Sequence, residues 1–302
     1  MEFVVRDFDL WHTLECGQAF RWQRQPDGVY RGVIGHHLVR AAQHGGTLSL
    51  DGAPADMLTC YFQLDADLAA IIATFPDDEP MRRAATWCRG MRLLRQDPWE
   101  ALASFICSAT KQIIQIRQMV ANLCNALGEP IENDGQTGFA FPTAAAVARA
   151  SEAQLRACKL GFRAKNLLGA ARMIDAGEVR LDGIGAMDYA RAVEELTRLP
   201  GVGPKIADCA LLFGWGRQEA FPLDVWIERA LRRLYFRRKR RVTRRRLVEF
   251  HRGYFGPWAG YAQQYLFHYV RNHPHVLQAD SDLTPVSCRR GLRGLYGQGR
   301  RV

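Results

Sequence analysis

The sequence of 302 residues is long enough to bury a large core, and its length suggests about two domains. Its composition, with 48% hydrophobic and 24% charged residues, is typical of a globular protein. Lys and Arg number 41 against 31 Asp and Glu, and this net charge of +10 favours a polyanionic partner, either nucleic acid or an anionic membrane surface. No stretch reaches the roughly 18 apolar residues of a membrane span, and the acidic, mixed N-terminus predicts no signal peptide.

The cysteines narrow the choice of cofactor and compartment. All eight are scattered along the chain, and no two form a Cys-x-x-Cys pair. That spacing matches neither a zinc site nor an iron–sulfur cluster. Most of them lie within apolar helical patterns, as buried free thiols do. We therefore expect a reduced, cytoplasmic protein without a zinc or iron–sulfur cofactor.

The first 50 residues or so predict a small antiparallel sheet. A strand from Phe20 to Arg24 meets a Pro26-Asp27-Gly28 turn, and a second strand begins at Val29. Apolar and polar residues alternate along these runs, as they do in half-buried strands. A loop with one glycine, Gly17, precedes the first of these two strands.

From about residue 64 the hydrophobic period is helical. Asp97 followed by Pro98 marks the start of an apolar helix that we expect to be central and buried. Further helices are predicted at Ile113–Leu127, at about 143–158, 164–176 and 186–198, from Asp224 to Phe236, and at about 258–270, with a surface loop at 128–142.

These patterns together predict an α+β fold, in which a small N-terminal antiparallel β domain precedes a mostly α-helical body. The predicted units are 1–92, a β domain with trailing helices; 93–277, the helical body; and 278–302, a basic tail.

A hairpin between two helices, at about 188–215, is the most informative segment of the body. The helical pattern stops at Pro200-Gly-Val-Gly203 and restarts at Pro204, where proline suits the first helical position. Glycines at 201 and 203 permit a tight turn and a close approach to the backbone. Free N–H groups at the start of the second helix favour an anion, so the hairpin could hold a phosphate.

Two charged residues in this region allow either a structural or a catalytic interpretation. Lys205 lies in the first turn of a helix, where the macrodipole disfavours a cation, and a buried lysine there would be driven toward its nucleophilic neutral form. Asp224 occupies an N-cap position. A surface lysine and an ordinary capping aspartate would give the same spacing, which leaves both interpretations open.

Several segments in the same order along the chain resemble one known family. The hairpin followed by Pro222-Leu-Asp224 resembles the helix-hairpin-helix Gly/Pro-Asp superfamily, and within it the 8-oxoguanine DNA glycosylase/AP lyase family. The other matching segments are Cys16-Gly-Gln-Ala-Phe-Arg-Trp22, Tyr61-Phe-Gln-Leu-Asp65, Arg92-Leu-Leu-Arg-Gln-Asp-Pro98, Phe105-Ile-Cys-Ser108, Leu160-Gly-Phe-Arg-Ala-Lys165 and Gly260-Tyr-Ala-Gln-Gln-Tyr-Leu-Phe267.

The resemblance implies a bifunctional enzyme of base excision repair that acts on duplex DNA containing oxidised guanine, as a monomer. The amine of Lys205 would attack the sugar C1′ and displace 8-oxoguanine, and the resulting Schiff base would undergo β-elimination and nick the strand. Asp224 would stabilise positive charge developing on the sugar. Such an enzyme would be found with the nucleoid in a prokaryote and in the nucleus of a eukaryote.

Base recognition is implied for four residues. The carbonyl of Gly17 would accept the N7–H that 8-oxoguanine has and guanine lacks. Gln263 would bond the Watson–Crick edge, while Phe267 and Cys209 would sandwich the ring. For Gln263, Phe267 and Cys209 the alternative is core packing on amphipathic helices.

The resemblance also implies contacts with the DNA backbone. Gly201, Val202 and Gly203 would present N–H groups to phosphates, and carbonyls near Thr197, Leu199 and Val202 could hold a structural cation. Trp226 stands where relatives often have a histidine, so its stacking or phosphate contact is an open alternative.

The residues facing the opposite strand depart from the family pattern. Relatives that select cytosine opposite the lesion carry an Asn and an Arg where this chain has Thr110 and Gln115. The corner Gly161-Phe162-Arg163, between two of the predicted helices, keeps an aromatic wedge, Phe162, and one arginine, Arg163. Loss of a charged donor removes about 1–3 kcal/mol of discrimination, which predicts a relaxed preference for the opposite base.

Other interpretations remain at this stage. A non-catalytic helix-hairpin-helix DNA-binding protein would need the hairpin but neither Lys205 nor Asp224. A related glycosylase for another damaged base fits less well, because the chain lacks the clustered C-terminal cysteines of the endonuclease III branch and has the lysine that alkyl-base glycosylases lack. The basic run 237–246 predicts either a solvated loop or a phosphate contact.

Overall fold

The computed structural model describes residues 1–133, 135–236 and 242–278. Its N-terminal part contains an antiparallel sheet in the order β1-β5-β4-β3-β2. The strands are β1 (Glu2–Val4), β2 (Gln23–Arg24), β3 (Tyr30–Ile34), β4 (His37–His44) and β5 (Thr47–Asp51). The predicted N-terminal sheet is thereby confirmed, although the strand predicted from Phe20 to Arg24 is limited to the two residues of β2.

Aromatic side chains bury one face of this sheet. Tyr30 and Ile34, at alternate positions of β3, are buried, as period-two patterning requires. Trp22 is fully buried and donates its indole N–H to the Tyr61 hydroxyl at 2.9 Å. The sheet therefore packs on the helix that carries Tyr61, and the two form a core of their own.

A helical body follows the sheet, as predicted. The helices are α1 (Leu10–Glu15), α2 (Ala55–Phe62), α3 (Leu68–Ala73), α4 (Glu79–Trp87), α5 (Pro98–Cys107), α6 (Ile113–Leu127), α7 (Ala144–Arg149), α8 (Glu152–Ala157), α9 (Arg163–Asp175), α10 (Leu181–Ile184), α11 (Tyr189–Thr197), α12 (Pro204–Ala210), α13 (Val225–Tyr235), α14 (Arg244–Tyr254) and α15 (Ala259–Asn272). A π turn, Leu211–Trp215, extends α12, and a 3-10 turn, Pro274–Leu277, follows α15. No helix in the described ranges has the length and apolar character needed to cross a membrane.

The helix α5 is central, as its sequence predicts. Its N-cap Asp97 accepts a hydrogen bond from the Glu100 amide at 2.8 Å, and Pro98 takes the first helical position. Every residue from Ala101 to Cys107 is buried. Helix α5 packs against α12 and against the π turn that extends α12, and it therefore supports the second helix of the hairpin.

Hydrophobic contacts place α3 and α4 with the helical body. Leu68, Met81 and Met91 belong to the same core as α5 and α12, and α4 packs along α15. The predicted unit 1–92 had grouped these helices with the sheet. The contact of α4 with α15 therefore links the predicted units 1–92 and 93–277. The position of the boundary between these two units remains a prediction.

Two local predictions need correction, and some helices were not predicted. Residues 128–142 are not only a loop, because β6 (Pro130–Asn133) and β7 (Gln136–Phe139) pair as a hairpin whose Phe139 carbonyl accepts from Arg21. The helix predicted at about 143–158 is two, since Ser151 caps α8 after α7 has ended. The helices α1 and α14 were not predicted. Each is short or polar, and each begins at a side-chain cap, from Asp9 and Thr243.

A pair of histidines, one on each helix, joins α1 to α15. His12 Nδ1 on α1 lies 3.1 Å from His268 Nε2 on α15, among the rings of Trp11 and Trp87. His268 is fully buried, and burial lowers its pKa to about 3. Burial also lowers the pKa of His12, with the Asp9 charge opposing. Both rings are therefore neutral at neutral pH, and one can donate to the other.

Replacement of His268 by Gln should reduce the acid sensitivity of the fold. In the unfolded chain His268 takes up a proton below its ordinary pKa of 6.5, whereas in the fold its pKa is about 3, so the stability it contributes is lost as the pH falls. From pH 7 to pH 5 this linkage amounts to about 2 kcal/mol. Urea unfolding of both proteins at pH 7, 6 and 5 should show a smaller loss for His268→Gln. Parallel losses would contradict the assignment.

Candidate active site

The hairpin between α11 and α12 has the predicted tight turn. Gly201 has φ +78, and a Cβ there would lie 2.7 Å from the Asn166 Cβ, so a side chain would meet both strain and a clash. The Val202 amide donates to the Leu199 carbonyl at 3.1 Å, which closes the turn. Gly203 is the N-cap of α12, and Pro204 follows as the first helical residue.

Beside the second helix lies a cavity of about 1040 Å³. Its walls come from the Gly17 loop, the end of α5, the start of α6, α12, the start of α13, and α15. The predicted site residues in its lining are Gly17, Thr110, Gly203, Lys205, Cys209, Asp224, Trp226, Gln263 and Phe267. Segments far apart in sequence thus converge on one concave surface.

The amine of Lys205 points to the end of α5. Lys205 is half-buried, and its Nζ lies 3.4 Å from Ser108 Oγ and 5.3 Å from the centre of the Phe105 ring. The Ser108 hydroxyl donates to the Phe105 carbonyl at 2.7 Å, which leaves its oxygen free to accept from the lysine. The ring face adds a cation–π contact. These contacts hold the amine in the cavity without neutralising it by a carboxylate.

The thiol of Cys209 lies one helical turn beyond the lysine. Cys209 is buried, and burial raises the pKa of its thiol to about 12, with the Lys205 charge opposing. The side chain is therefore an uncharged thiol at neutral pH. It presents a small polarisable surface to the cavity, suited to contact with a flat ring.

The carboxylate of Asp224 caps α13, as predicted. One carboxylate oxygen accepts from the Ile227 amide at 2.8 Å. Burial raises the pKa of Asp224, and the amide hydrogen bond and the Lys205 charge oppose that rise. The preceding segment is fixed by Phe221, whose ring stacks on His251 with centroids 4.3 Å apart. Asp224 thus brings a partly desolvated anion near the lysine.

Two residues of α15, Gln263 and Phe267, form part of the cavity wall. Gln263 is 3% exposed and donates its amide Nε2 to the Pro222 carbonyl at 3.1 Å. Its Oε1 is buried and has no hydrogen-bond partner. Phe267 lies one turn further along the same face. The wall therefore contains one unpaired, solvent-shielded acceptor beside one aromatic ring.

The Gly17 loop is held by α15. Gly17 has φ +84, and a Cβ there would lie 2.4 Å from Ile113 Cδ1, so the position favours glycine. Gln264 donates to the Cys16 carbonyl at 2.9 Å, and Arg271 donates to the Glu15 carbonyl at 2.7 Å. The sequence pattern gave no reason to assign these two anchors, which are buried or half-buried polar residues in an apolar helix.

Of the residues predicted to face the opposite strand, Thr110 lines the cavity, whereas Gln115, Phe162 and Arg163 do not. Phe162 is 58% exposed, with the Arg163 guanidinium 4.2 Å from its ring centre. Arg163 itself is 3% exposed and donates to the Ala109 carbonyl and, at 2.8 Å, to Thr110 Oγ1. Its guanidinium is thus engaged in holding the 109–110 turn, where Thr110 has φ +57. Gln115 is exposed on α6.

The basic run reaches the cavity through one described arginine. Residues 237–241 of the run lie outside the described ranges. Arg244 lines the cavity, donates to the Leu223 carbonyl at 3.2 Å and lies 3.3 Å from the Glu228 carboxylate. Arg245 and Arg246 instead pair with Glu249 on α14. Trp226 also lines the cavity, and the Arg229 guanidinium lies 5.6 Å from its ring centre.

Comparison with known proteins identifies the family. The N-terminal domain of 8-oxoguanine DNA glycosylase matches residues 1–102, and the HhH-GPD superfamily of base excision DNA repair proteins matches residues 103–252. N-glycosylase/DNA lyase OGG1 of Arabidopsis thaliana is 32% identical over 275 residues, which cover 84% of this chain and 75% of that protein. This chain belongs to the 8-oxoguanine DNA glycosylase family.

Two further relatives agree with that assignment and with the predicted family. The N-glycosylase/DNA lyase of Saccharomyces cerevisiae is 33% identical over 258 residues, 75% of this chain and 68% of that protein. The structure of Clostridium acetobutylicum 8-oxoguanine glycosylase/lyase, in complex with double-stranded DNA containing cytosine opposite 8-oxoguanine, matches with a TM-score of 0.85 and 33% identity. The match covers 91% of this chain and 98% of that one.

A structural cation at the hairpin stays a prediction. No group of three or more His, Cys, Asp and Glu side chains suited to a metal ion occurs in the described part of the chain. The predicted ligands are instead carbonyls of Thr197, Leu199 and Val202, at the end of α11 and in the turn. The Leu199 carbonyl already accepts from the Val202 amide, and its second lone pair could still meet a cation.

Substitution of Asp224 should separate its two roles. Asp224→Asn keeps a side-chain oxygen for the Ile227 amide and should unfold at nearly the native temperature. Asp224→Ala loses that cap and about 1 kcal/mol of stability. Both should lower single-turnover excision of 8-oxoguanine by a factor of about 100 to 1000, because the charge is gone.

The pH profile checks the same assignment. Since burial raises the pKa of Asp224, native excision should fall as the pH drops through a value above that of an ordinary aspartate. The residual activity of Asp224→Asn should lack this acid limb. Full activity in Asp224→Asn would show that the carboxylate only caps α13.

Proposed function

We propose that this protein is a bifunctional DNA glycosylase/AP lyase of base excision repair, which excises 8-oxoguanine from duplex DNA and nicks the strand. The observation that carries the proposal is the convergence of Lys205, Asp224 and Gln263 on one cavity. A flipped base needs such a pocket, because its reacting bond is not accessible within the duplex. The activities named for the Arabidopsis, yeast and Clostridium relatives support the same reaction.

The chemistry follows from where the two charged side chains lie. The Lys205 amine attacks C1′ of the flipped nucleotide, and the bond from C1′ to the base nitrogen breaks with its electron pair leaving on the base. Positive charge that develops on the sugar is stabilised by the Asp224 carboxylate, which burial makes more effective than in water. In the amine–sugar adduct the nitrogen loses its proton and its electron pair breaks the bond from C1′ to the ring oxygen, which opens the sugar to a Schiff base and leaves a hydroxyl. Removal of a C2′ proton then drives β-elimination, which breaks the bond to the 3′ phosphate.

Base recognition uses the cavity walls. The Gly17 carbonyl accepts the N7–H of 8-oxoguanine, and the unpaired Oε1 of Gln263 accepts from an N–H of the Watson–Crick edge. Phe267 stacks on one face of the ring and Cys209 on the other. The alternative of simple core packing leaves Gln263 Oε1 without a partner, which is costly for a buried acceptor.

Contacts with the DNA backbone extend from the cavity rim. The amides of Gly201 and Gly203 meet phosphates, whereas the Val202 amide, also predicted to do so, already donates to the Leu199 carbonyl. A cation at the Thr197, Leu199 and Val202 carbonyls would stabilise that turn. Trp226 and Arg244 add a stacking surface and a positive charge beside Asp224. The net charge of +10 suits the same partner, with the protein acting as a monomer in the nucleoid or nucleus.

Borohydride trapping tests the reaction. The native protein should form a covalent adduct with a duplex containing 8-oxoguanine, because borohydride reduces the imine between lysine and sugar. Lys205→Gln should give none. Lys111→Gln is a matched control, since Lys111 also lines the cavity, and it should still be trapped. An adduct that persists in Lys205→Gln, or no adduct at all with the native protein, would refute the mechanism.

The base opposite 8-oxoguanine should be recognised only weakly. Thr110 and Gln115 replace the asparagine and arginine of relatives that select cytosine, and Arg163 is engaged with the Ala109 carbonyl and Thr110. We therefore propose a relaxed preference for the base opposite 8-oxoguanine. Phe162, exposed at the start of α9, fills the gap left by the flipped base.

Adding the missing charge should restore selection. Excision of 8-oxoguanine opposite each of the four bases should differ little in the native protein, and Gln115→Arg should favour cytosine by a further factor of about 5 or more. Gln118→Arg places the same charge one turn along α6, on an exposed position, and should leave the ratios unchanged. Strong selection for cytosine by the native protein would contradict the proposal.

A further inference from the structure

Arg271, at the end of α15, lines the cavity next to the predicted base site. It lies one turn beyond Phe267, and its guanidinium carbon is 5.5 Å from the centre of that ring. Its Nη2 donates to the Glu15 carbonyl at 2.7 Å. Two contacts thus fix the position of the guanidinium, one through the ring and one through the backbone that leads to Gly17.

The second terminal nitrogen of Arg271 is an unused donor. Nη1 is buried and has no hydrogen-bond partner among the described residues, and the Glu15 carboxylate pairs with Arg117 instead. Burial accordingly lowers the pKa of Arg271. Buried donors are nearly always paired in native proteins. A buried, positively charged donor in a ligand cavity therefore indicates an acceptor that arrives with the ligand.

The geometry beside Gly17 indicates which part of the ligand brings that acceptor. A Cβ placed on Gly17 would lie 3.1 Å from Nη1, so this donor sits against the loop whose carbonyl is the proposed acceptor for N7–H. The Ile113 side chain covers the same spot. Because Nη1 is shielded from solvent, contact with a base requires Ile113 or Arg271, whose side-chain atoms lie nearest to Gly17, to move.

We propose that Arg271 recognises the C8 oxygen of the oxidised purine, by a hydrogen bond from Nη1. In 8-oxoguanine N7–H and C8=O are neighbours, one a donor and one an acceptor. The Gly17 carbonyl and Arg271 Nη1 provide the complementary acceptor and donor. Guanine carries a bare N7 and a C8–H in these places, so it matches neither group. The inference rests on the proposed function, and it adds a specificity determinant on α15.

Arg117 offers a matched control. Its Nη2 donates to the Leu14 carbonyl at 3.2 Å and to the Glu15 carboxylate at 2.8 Å, so it holds the same segment as Arg271 does. It also has a buried nitrogen without a partner, Nε. Among the described residues, however, Arg117 lies outside the wall of the Lys205 cavity. A purely structural role would make the two arginines behave alike.

The test compares two lesions that differ at one atom. Duplexes carry either 8-oxoguanine or 8-thioguanine, which keeps N7–H but replaces the oxygen with sulfur, a poor acceptor. Single-turnover excision is measured for the native protein, Arg271→Met, Arg271→Lys and Arg117→Met. Binding of both duplexes is measured with the same substitutions in a Lys205→Gln background. Methionine keeps an unbranched apolar stem over Phe267 while removing the donor.

Arg271→Met should lower the ratio of 8-oxoguanine to 8-thioguanine excision about tenfold or more, as expected for loss of a hydrogen bond from a charged donor. Arg271→Lys should keep part of the ratio, and Arg117→Met should leave it at the native value. An equal loss on both lesions in Arg271→Met, or an unchanged ratio, would overturn the inference. In those cases native excision and trapping would still support the proposed function, whereas absence of both would remove the proposed function and this inference together.

Discussion

The helix α15 holds the site together through side-chain amides and a guanidinium that bond to backbone carbonyls. Gln263 donates to the Pro222 carbonyl, Gln264 to the Cys16 carbonyl and Arg271 to the Glu15 carbonyl. These bonds tie the segment before Asp224 and the Gly17 loop to one rigid element. Since such groups lie on buried or half-buried parts of the helix, losing a partner would cost about 1–3 kcal/mol each. The spacing between the loop and Asp224 therefore depends on α15.

Much of the framework could be predicted because local signals and packing agree. Asp97 and Pro98 start α5, Ile113–Leu127 has the predicted ends, and Asp224 caps α13. In each case a cap or a terminating glycine coincides with a strong apolar period. The segment 128–142 shows the opposite case. Its Gly, Asn and Asp residues are common both in loops and in tight hairpins. Only tertiary contacts, such as that between Arg21 and the Phe139 carbonyl, distinguish a hairpin from a loop in this segment.

For the site, sequence resemblance could predict which residues lie together but not how they are supported. Gly17, Lys205 and Gln263 converge on the cavity, as the family pattern requires. The pattern did not reveal that Ser108 accepts from Lys205, or that Arg163 is engaged with the 109–110 turn. Such contacts depend on side-chain direction within a tertiary arrangement. A spacing rule carries no information about that direction.

Two buried, unpaired polar atoms on residues that line the cavity would, in their proposed roles, explain how a base is selected. Gln263 Oε1 and Arg271 Nη1 are both buried without partners. Each destabilises the protein by about 1–3 kcal/mol until a ligand pairs it. A base with a matching donor and acceptor removes that penalty, whereas one without them keeps the groups buried and unpaired. With the proposed roles of Gln263 and Arg271, discrimination would arise mainly from what the wrong base leaves unsatisfied, which is a larger difference than one ordinary hydrogen bond exchanged with water would provide.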